Sequence, residues 1–267
     1  MRTDYAEVFL DDAAVERYEE VMYAPDTYSS AVSARQRTYL RDLARRGFPH
    51  RRAVQHDFAC GTGRAIKLLQ GAVRAAHGYD TSPAMLARAR EAGLYARLHA
   101  IEADGPLPRP ATTGAPALVT VFRLLLNVPD EVRDRAVEFA ASVLPDPSSG
   151  LLVIENHGNR RSLRHLGAGR HAGDPWFAEL SHDQVRTLLA RHGFEIVERR
   201  GFAIFPPGAY RGRRLRRLAR WVDDLAARSP LLAGVCTDVL YVARRMPRRY
   251  APDAALTQLD AICEEDR

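Results

Sequence analysis

The chain has 267 residues, of which 46% are apolar and 27% charged, with a formal net charge of +6. That composition suits one or two globular domains that bury a core without disulfide support. Its three cysteines, Cys60, Cys236 and Cys263, form no metal-binding or disulfide pattern, so we expect reduced thiols, a cytoplasmic protein and no metal site. The acidic N-terminal residues are not typical of a signal peptide, and no apolar run has transmembrane length, so we expect neither export nor membrane contact.

Two kinds of regular pattern follow one another along the chain. Residues 1–50 predict two or three helices, because apolar side chains recur at helical spacing at 14–22 and 34–43. Strands and helices alternate after that. The predicted strands are residues 53–58, 73–79, 96–102, 117–122, 150–155, 194–198 and 237–243. The predicted helices after residue 50 are 63–70, 83–93, 130–143, 182–192 and 213–228.

This alternation predicts an α/β fold, with a Rossmann-like seven-stranded sheet and helices on both of its faces. Six strands are expected to run parallel and one antiparallel. Residues 1–50 would form a helical cap, and residues 51–245 the main domain. Within that domain, residues 156–180 read as an insert, and residues 246–267 form a C-terminal tail.

The strongest local signal is a glycine-containing turn at residues 57–64, Asp-Phe-Ala-Cys-Gly-Thr-Gly-Arg, between the first strand and its helix. Such a turn lets a ligand approach bare backbone amides at a helix N-terminus. A phosphate-binding P-loop is excluded, because Gly-Lys-Ser/Thr is absent. A dinucleotide site is disfavoured, because Arg64 and Ile66 are too large for its third glycine position. An adenosyl ligand without a pyrophosphate remains.

An acidic residue supports this interpretation. Asp80 ends the second predicted strand, 17 positions after Gly63, where a carboxylate can accept both hydroxyls of a ribose. Ser82 and Pro83 then begin the next helix as its N-cap and first residue.

These residues resemble two motifs of the class I S-adenosylmethionine-dependent methyltransferases. Residues 57–64 are similar to motif I and residues 79–86 to motif II. The resemblance continues through residues 103–104, 119–127 and 181–194, and it covers about residues 50–245. Ala59 departs from the family pattern, which usually has a glycine there. The resemblance implies a methyltransferase that binds S-adenosylmethionine and releases S-adenosylhomocysteine, and its motifs are not specific for a substrate. A small-molecule acceptor is expected from the layout of helical cap and insert.

The resemblance also implies roles for particular residues. Asp57 would face the methionyl amino group, and Ala59, Cys60, Gly61 and Gly63 would form the floor of the site. Asp80 would hold the ribose, with Thr81 beside it, while Met85 and Asp104 would contact the adenine. Phe122 and Arg123 would line the channel for the methyl donor.

The acceptor side depends on less specific signals. His157 follows the fifth strand at the expected end of the sheet, and its ordinary pKa range suits a general base. The candidate substrate-binding residues are Tyr23, Asn127, Asn156, Arg160 and Arg164.

Two arginine-rich segments, at residues 160–170 and 211–220, allow several interpretations. They could bind an anionic acceptor, RNA or a membrane surface, or they could form a solvated face. Asp223 and Asp224 interrupt the second segment, which favours the solvated face. We therefore expect an O- or N-methyltransferase of specialised metabolism, as a monomer or homodimer. An RNA methyltransferase and a cofactor-binding protein without methyl transfer remain as alternatives.

Overall fold

Seven strands form one sheet in the computed structural model, which describes residues 27–51, 53–110, 114–162, 179–205, 213–226 and 232–247. The strands are β1 (Val54–Phe58), β2 (Ala75–Asp80), β3 (Arg97–Ala100), β4 (Ala117–Val121), β5 (Gly150–Asn156), β6 (Phe194–Phe202) and β7 (Asp238–Arg245). Their order across the sheet is β3-β2-β1-β4-β5-β7-β6.

Six strands point the same way, and β7 runs antiparallel to both β5 and β6. The predicted Rossmann-like sheet, with six parallel strands and one antiparallel, is therefore confirmed. β6 extends to Phe202, four residues beyond its predicted end, because β7 pairs with it over its whole length, from Phe194 opposite Arg245 to Phe202 opposite Asp238.

Helices cover both faces of the sheet. They are α1 (Tyr28–Gly47), α2 (Arg64–Leu69), α3 (Pro83–Glu91), α4 (Asp130–Val143), α5 (His182–Arg191) and α6 (Arg213–Ala226). Short 3₁₀ helices occupy Pro49–Arg51, Leu125–Asn127 and Leu232–Val235. A capping box begins α5, since the Ser181 side chain accepts from the Gln184 amide and the Gln184 side chain accepts from the Ser181 amide.

The core forms one layer on each side of the sheet. Side chains of α4 and α5, such as Phe139 and Leu188, pack on one face. Side chains of α1, α2 and α6, such as Leu40 and Leu69, pack on the other. Every residue of β1, β4 and β5 is buried, as expected for strands covered on both faces. This packing fixes the strand ends that carry the polar residues.

Several predictions concern residues outside the described ranges. These are the helices expected before residue 27, most of the insert at 156–180, and all but the start of the tail after residue 246. No helix within the described ranges has both the length and the apolar character needed to cross a bilayer.

Candidate active site

A cavity opens at the carboxyl edge of the parallel strands, where the loops after β1, β2, β3 and β4 meet. This is the edge at which open α/β sheets bind their ligands. Nine of the residues assigned to the cofactor line it: Asp57, Ala59, Cys60, Gly61, Asp80, Thr81, Met85, Phe122 and Arg123. These nine residues lie in or beside three of the four loops that line the cavity, those after β1, β2 and β4.

The turn after β1 forms the floor of the cavity. Gly61 has φ +52°, and a Cβ there would have Met85 Sδ, at 3.9 Å, as its nearest neighbour. Ala59 has φ +55°, a left-handed conformation that is strained for a residue with a side chain. The backbone at Gly61 can therefore be approached closely by a ligand, as the sequence predicted.

Asp80 connects this turn to the next helix. Its Oδ2 accepts from the Gly61 amide at 2.7 Å, and its Oδ1 accepts from the Ser82 amide at 2.9 Å. The carboxylate is buried, and burial raises its pKa while the backbone hydrogen bonds lower it. Each oxygen has a second lone pair, so the group can hold the turn and also accept from a ligand hydroxyl.

Asp57 is buried at the end of β1 and also lines the cavity. Thr120 on β4 donates its hydroxyl proton to Asp57 Oδ1 at 2.6 Å, and it accepts from Gln55 Nε2 at 3.1 Å. Burial raises the pKa of Asp57 to about 7, with a further increase from the nearby charge of Asp80, although the Thr120 hydrogen bond opposes both.

Arg64 is a site residue that the sequence interpretation missed. Only 7% of it is exposed, and it lies in the cavity wall. Its Nη2 donates to Gln36 Oε1 at 2.9 Å, whereas Nε and Nη1 have no hydrogen-bond partner among the described residues. A buried guanidinium with unsatisfied donors is the arrangement that a carboxylate ligand completes.

A buried polar network lies behind Arg64 and Arg123. Glu155 Oε2 accepts from the Arg123 backbone amide at 3.0 Å, and its Oε1 accepts from Gln36 Nε2 at 2.6 Å. The nearby Asp238 accepts from the Tyr28 hydroxyl. Burial raises the pKa of Asp238 to about 6, against the opposing effect of Arg123. The network joins α1, β4, β5 and β7 beside the cavity.

A family model for a methyltransferase domain matches residues 56–146, which begin in β1 and end just after α4. This segment includes the turn, Asp57, Asp80 and most of the cavity wall. Residues 56–146 therefore form a methyltransferase domain. The cavity of this methyltransferase fits the cofactor, because it combines bare backbone, a buried carboxylate at the end of β2 and unsatisfied guanidinium donors.

Solved structures share the fold of this methyltransferase. A chain of the complex containing the Haloferax volcanii Trm112 methyltransferase activator has a TM-score of 0.56 and 14% identity, with coverage of 92% of this chain and 100% of that one. An S-adenosylmethionine-dependent methyltransferase from Clostridium acetobutylicum has a TM-score of 0.53 and 12% identity, with coverage of 88% of this chain and 99% of that one. Magnesium protoporphyrin IX methyltransferase from Synechocystis, with S-adenosylhomocysteine bound, has a TM-score of 0.52 and 14% identity, with coverage of 88% of this chain and 100% of that one. No curated protein sequence matches this chain.

Two residues assigned to the cofactor lie outside the cavity wall of the methyltransferase. Asp104 is exposed, and Ile101 and Ala103 of the same loop line the cavity instead. Gly63 is the N-cap of α2 with φ +80°, and a Cβ there would lie 2.0 Å from Leu94 Cδ1. Gly63 is thus constrained by packing against Leu94, and Asp104 is exposed, while their roles toward the cofactor stay predictions.

The acceptor-side candidates also lie away from the wall. Asn156 Nδ2 donates to the Leu180 carbonyl at 3.0 Å, and its Oδ1 accepts from the Gly158 amide at 3.2 Å, so its amide stabilises the loop. The assignment of Asn156 to the substrate stays a prediction. His157 is buried, with its Nε2 3.4 Å from Asn127 Nδ2.

The other acceptor-side candidates contribute nothing to the described wall. Neither His157 nor Asn127 lines the cavity, and Arg160 is exposed outside it. Tyr23 and Arg164 lie outside the described residues. Across the described ranges, no group of three histidine, cysteine or acidic side chains is arranged to hold a metal ion.

Proposed function

We propose that this methyltransferase methylates an O or N atom of a small acceptor that carries negative charge. The observation that carries the proposal is that the cavity wall keeps two arginines, Arg123 and Arg135, after Arg64, Asp57 and Asp80 are assigned to the donor. When bound, S-adenosylmethionine supplies a methyl group on a positively charged sulfur. The residues of the chain must hold that donor, bring the acceptor into line and exclude water.

In this proposal, different residues of the cavity wall bind the two ends of the donor. Asp80 would accept from the ribose hydroxyls, and Met85 and Thr81 would contact the adenine. Asp57 would accept from the methionyl ammonium, while Arg64 would donate to the methionyl carboxylate. The cofactor would thus complete the hydrogen bonds that Arg64 lacks within the described structure.

The wall beyond the donor favours a negatively charged acceptor. Arg64, Asp57 and Asp80 are assigned to the donor, and the other charged residues of the cavity wall are both arginines, Arg123 and Arg135. Burial raises the pKa of Asp57 to about 7, which reduces its negative charge near neutral pH, and burial also raises the pKa of Asp80. Arg123 stays beside Glu155, with Nε 3.7 Å from Oε2, so this cation is held at the end of β4.

In-line transfer needs a base only where the attacking atom carries a proton that must leave. Since His157 is buried and outside the wall, we propose that positioning by Phe122 and Arg123, together with exclusion of water, provides most of the catalysis. An acceptor that enters as an anion, such as a carboxylate or phenolate, would need no base.

The proposed contact of Arg64 with the donor is tested by the affinity for S-adenosylhomocysteine. Calorimetry measures it for wild type, Arg64→Met and Arg74→Met. Arg74 is an exposed arginine outside the cavity and serves as the matched control. Loss of a charge-assisted pair predicts that Arg64→Met weakens binding by about 10- to 100-fold, or about 1.5–3 kcal/mol. Arg74→Met should bind like wild type. Equal affinities for all three proteins would remove Arg64 from the site.

The acceptor is tested by a turnover screen that detects S-adenosylhomocysteine. Matched pairs of acceptors, with and without a carboxylate, should differ in kcat/KM, and the charged member should be the better substrate. Preference for the uncharged member, or turnover only with RNA, would reject the proposed acceptor class but leave the cofactor assignments intact.

A further inference from the structure

Large exposed apolar side chains are concentrated in one connection of the fold. Among the described residues, five of the seven lie between positions 218 and 235, in the segment that joins β6 to β7. Three of these five, Leu218, Trp221 and Leu225, are on α6 and are 53%, 62% and 46% exposed. They are spaced by three and four residues, so they form one stripe along the helix, called here the apolar stripe.

The opposite side of α6 is attached to the protein. Ala219 and Asp223 are buried, and Asp223 Oδ1 accepts from the Ile204 amide at 2.8 Å. Arg35 of α1 contacts both acids of the helix, with Nη1 3.6 Å from Asp223 Oδ2 and Nε 2.7 Å from Asp224 Oδ1. The helix is thus oriented by its buried side, and the apolar stripe is what it presents to solvent.

These contacts change the sequence-based interpretation of α6. Asp223 and Asp224 were expected to interrupt a basic stripe and to favour an ordinary solvated face. The structure pairs both acids with Arg35, so they neutralise a cation of α1. Arg217 is exposed on α6, and the sequence of the helix contains four further arginines, at positions 213, 214, 216 and 220. The helix therefore combines an apolar stripe with strong positive charge.

We propose that α6 docks on an anionic lipid surface. Exposed Trp and Leu on one side of a helix, combined with several arginines, are the features of helices that lie in the interface of a membrane. The arginines would contact anionic headgroups, while the apolar stripe would enter the boundary with the acyl chains.

Charge argues against the other occupants of this face. A second copy of the chain would bring two arginine-rich helices together, and like charges at an interface oppose association. RNA would satisfy the arginines, but its phosphates offer nothing to Leu218 and Leu225. A lipid surface with negative headgroups is complementary to both the charge and the apolar stripe.

The connection that carries α6 has a defined position relative to the site. β6 ends at Phe202 and β7 begins at Asp238, opposite each other and beside the carboxyl end of β5. This is the edge of the sheet that carries the cavity. The connection that carries α6 therefore leaves and re-enters the sheet at the edge that carries the cavity.

Sedimentation of the full chain with vesicles tests the proposal. Vesicles of phosphatidylcholine mixed with phosphatidylglycerol should bind the protein, and vesicles of phosphatidylcholine alone should bind it much less. The double variant Leu218→Ser/Trp221→Ser should lower the partition coefficient at least about tenfold, since each side chain contributes apolar burial. Tyr95→Ser is the matched control, because Tyr95 is 88% exposed on a different part of the protein. It should partition like wild type.

Three results would overturn the proposal. One is equal sedimentation of the double variant and wild type, with circular dichroism showing that both are folded. A second is a dimer in light scattering without vesicles that the double variant abolishes, since a second copy would then occupy the face. The third is binding of an RNA oligonucleotide, but not of anionic vesicles, by wild type. None of these measurements depends on methyl transfer, so they leave the proposed acceptor untouched.

Discussion

Gly63 allows the contribution of one contact beneath the cofactor turn to be isolated by mutation. Its φ is +80°, and a Cβ would lie 2.0 Å from Leu94 Cδ1. Gly71 has almost the same backbone angle, φ +78°, but a Cβ there would meet nothing within 4 Å. Changing each glycine to alanine therefore imposes the same backbone penalty, and only the change at Gly63 adds a collision.

The magnitudes follow from these two geometries. An alanine in the left-handed region costs about 1–2 kcal/mol, offset by about 0.4–1 kcal/mol from a less flexible unfolded chain. Gly71→Ala should thus lose about 1 kcal/mol or less. Gly63→Ala must also displace the half-buried Leu94 from Ile66 and its neighbours, which adds about 1–2 kcal/mol of lost packing.

Urea unfolding of wild type and of both variants measures these free energies, and a double-mutant cycle with Leu94→Ala tests their origin. With Leu94 shortened, Gly63→Ala should cost no more than Gly71→Ala. An unchanged cost of Gly63→Ala in the Leu94→Ala background would refute the collision as its cause, as would equal costs of the two glycine variants in wild type.

Three further predictions concern the site. Ala59→Gly relieves a positive φ and should be about 1–2 kcal/mol more stable than the helix variant Ala34→Gly in the same unfolding assay; a loss as large as that of Ala34→Gly would contradict the strain. Affinity for S-adenosylmethionine should rise as pH increases through about 7, because Asp57 ionises there and its carboxylate then attracts the ligand ammonium. Asp57→Asn should remove this rise in affinity, and an identical pH profile of the variant would exclude Asp57 as its source. His157→Ala should lower kcat less than about tenfold, because the ring lies outside the cavity wall, whereas a loss of about 10²–10⁴-fold would identify it as a base after all.

The fold could be predicted well where local signals agree. α4 spans the predicted residues because Pro129 precedes it and apolar residues recur at helical spacing up to Val143. β6 was predicted too short, since Arg199, Arg200 and Gly201 have no apolar alternation. Their strand conformation depends on pairing with β7, which the local sequence does not contain.

The site divides in the same way. The turn and Asp80 lie close together in sequence, so their spacing predicted their proximity. The buried network could not be predicted, because Gln36, Glu155 and Asp238 come from three elements separated by long stretches of chain. Arg64 is the last residue of the turn, but in the sequence its size only disfavoured a dinucleotide. Its burial depends on α1, whose Gln36 accepts from it.

The hydroxyl of Thr120 has one proton, and its neighbours determine where that proton goes. Because the oxygen accepts from Gln55 Nε2, the proton is directed to Asp57 Oδ1. Any proton that Asp57 takes up must then reside on Oδ2. If Oδ2 is also the atom that a ligand ammonium contacts, a proton and the ligand compete for that one oxygen. The side-chain amide of Gln55, two residues earlier on β1, determines that this oxygen is Oδ2.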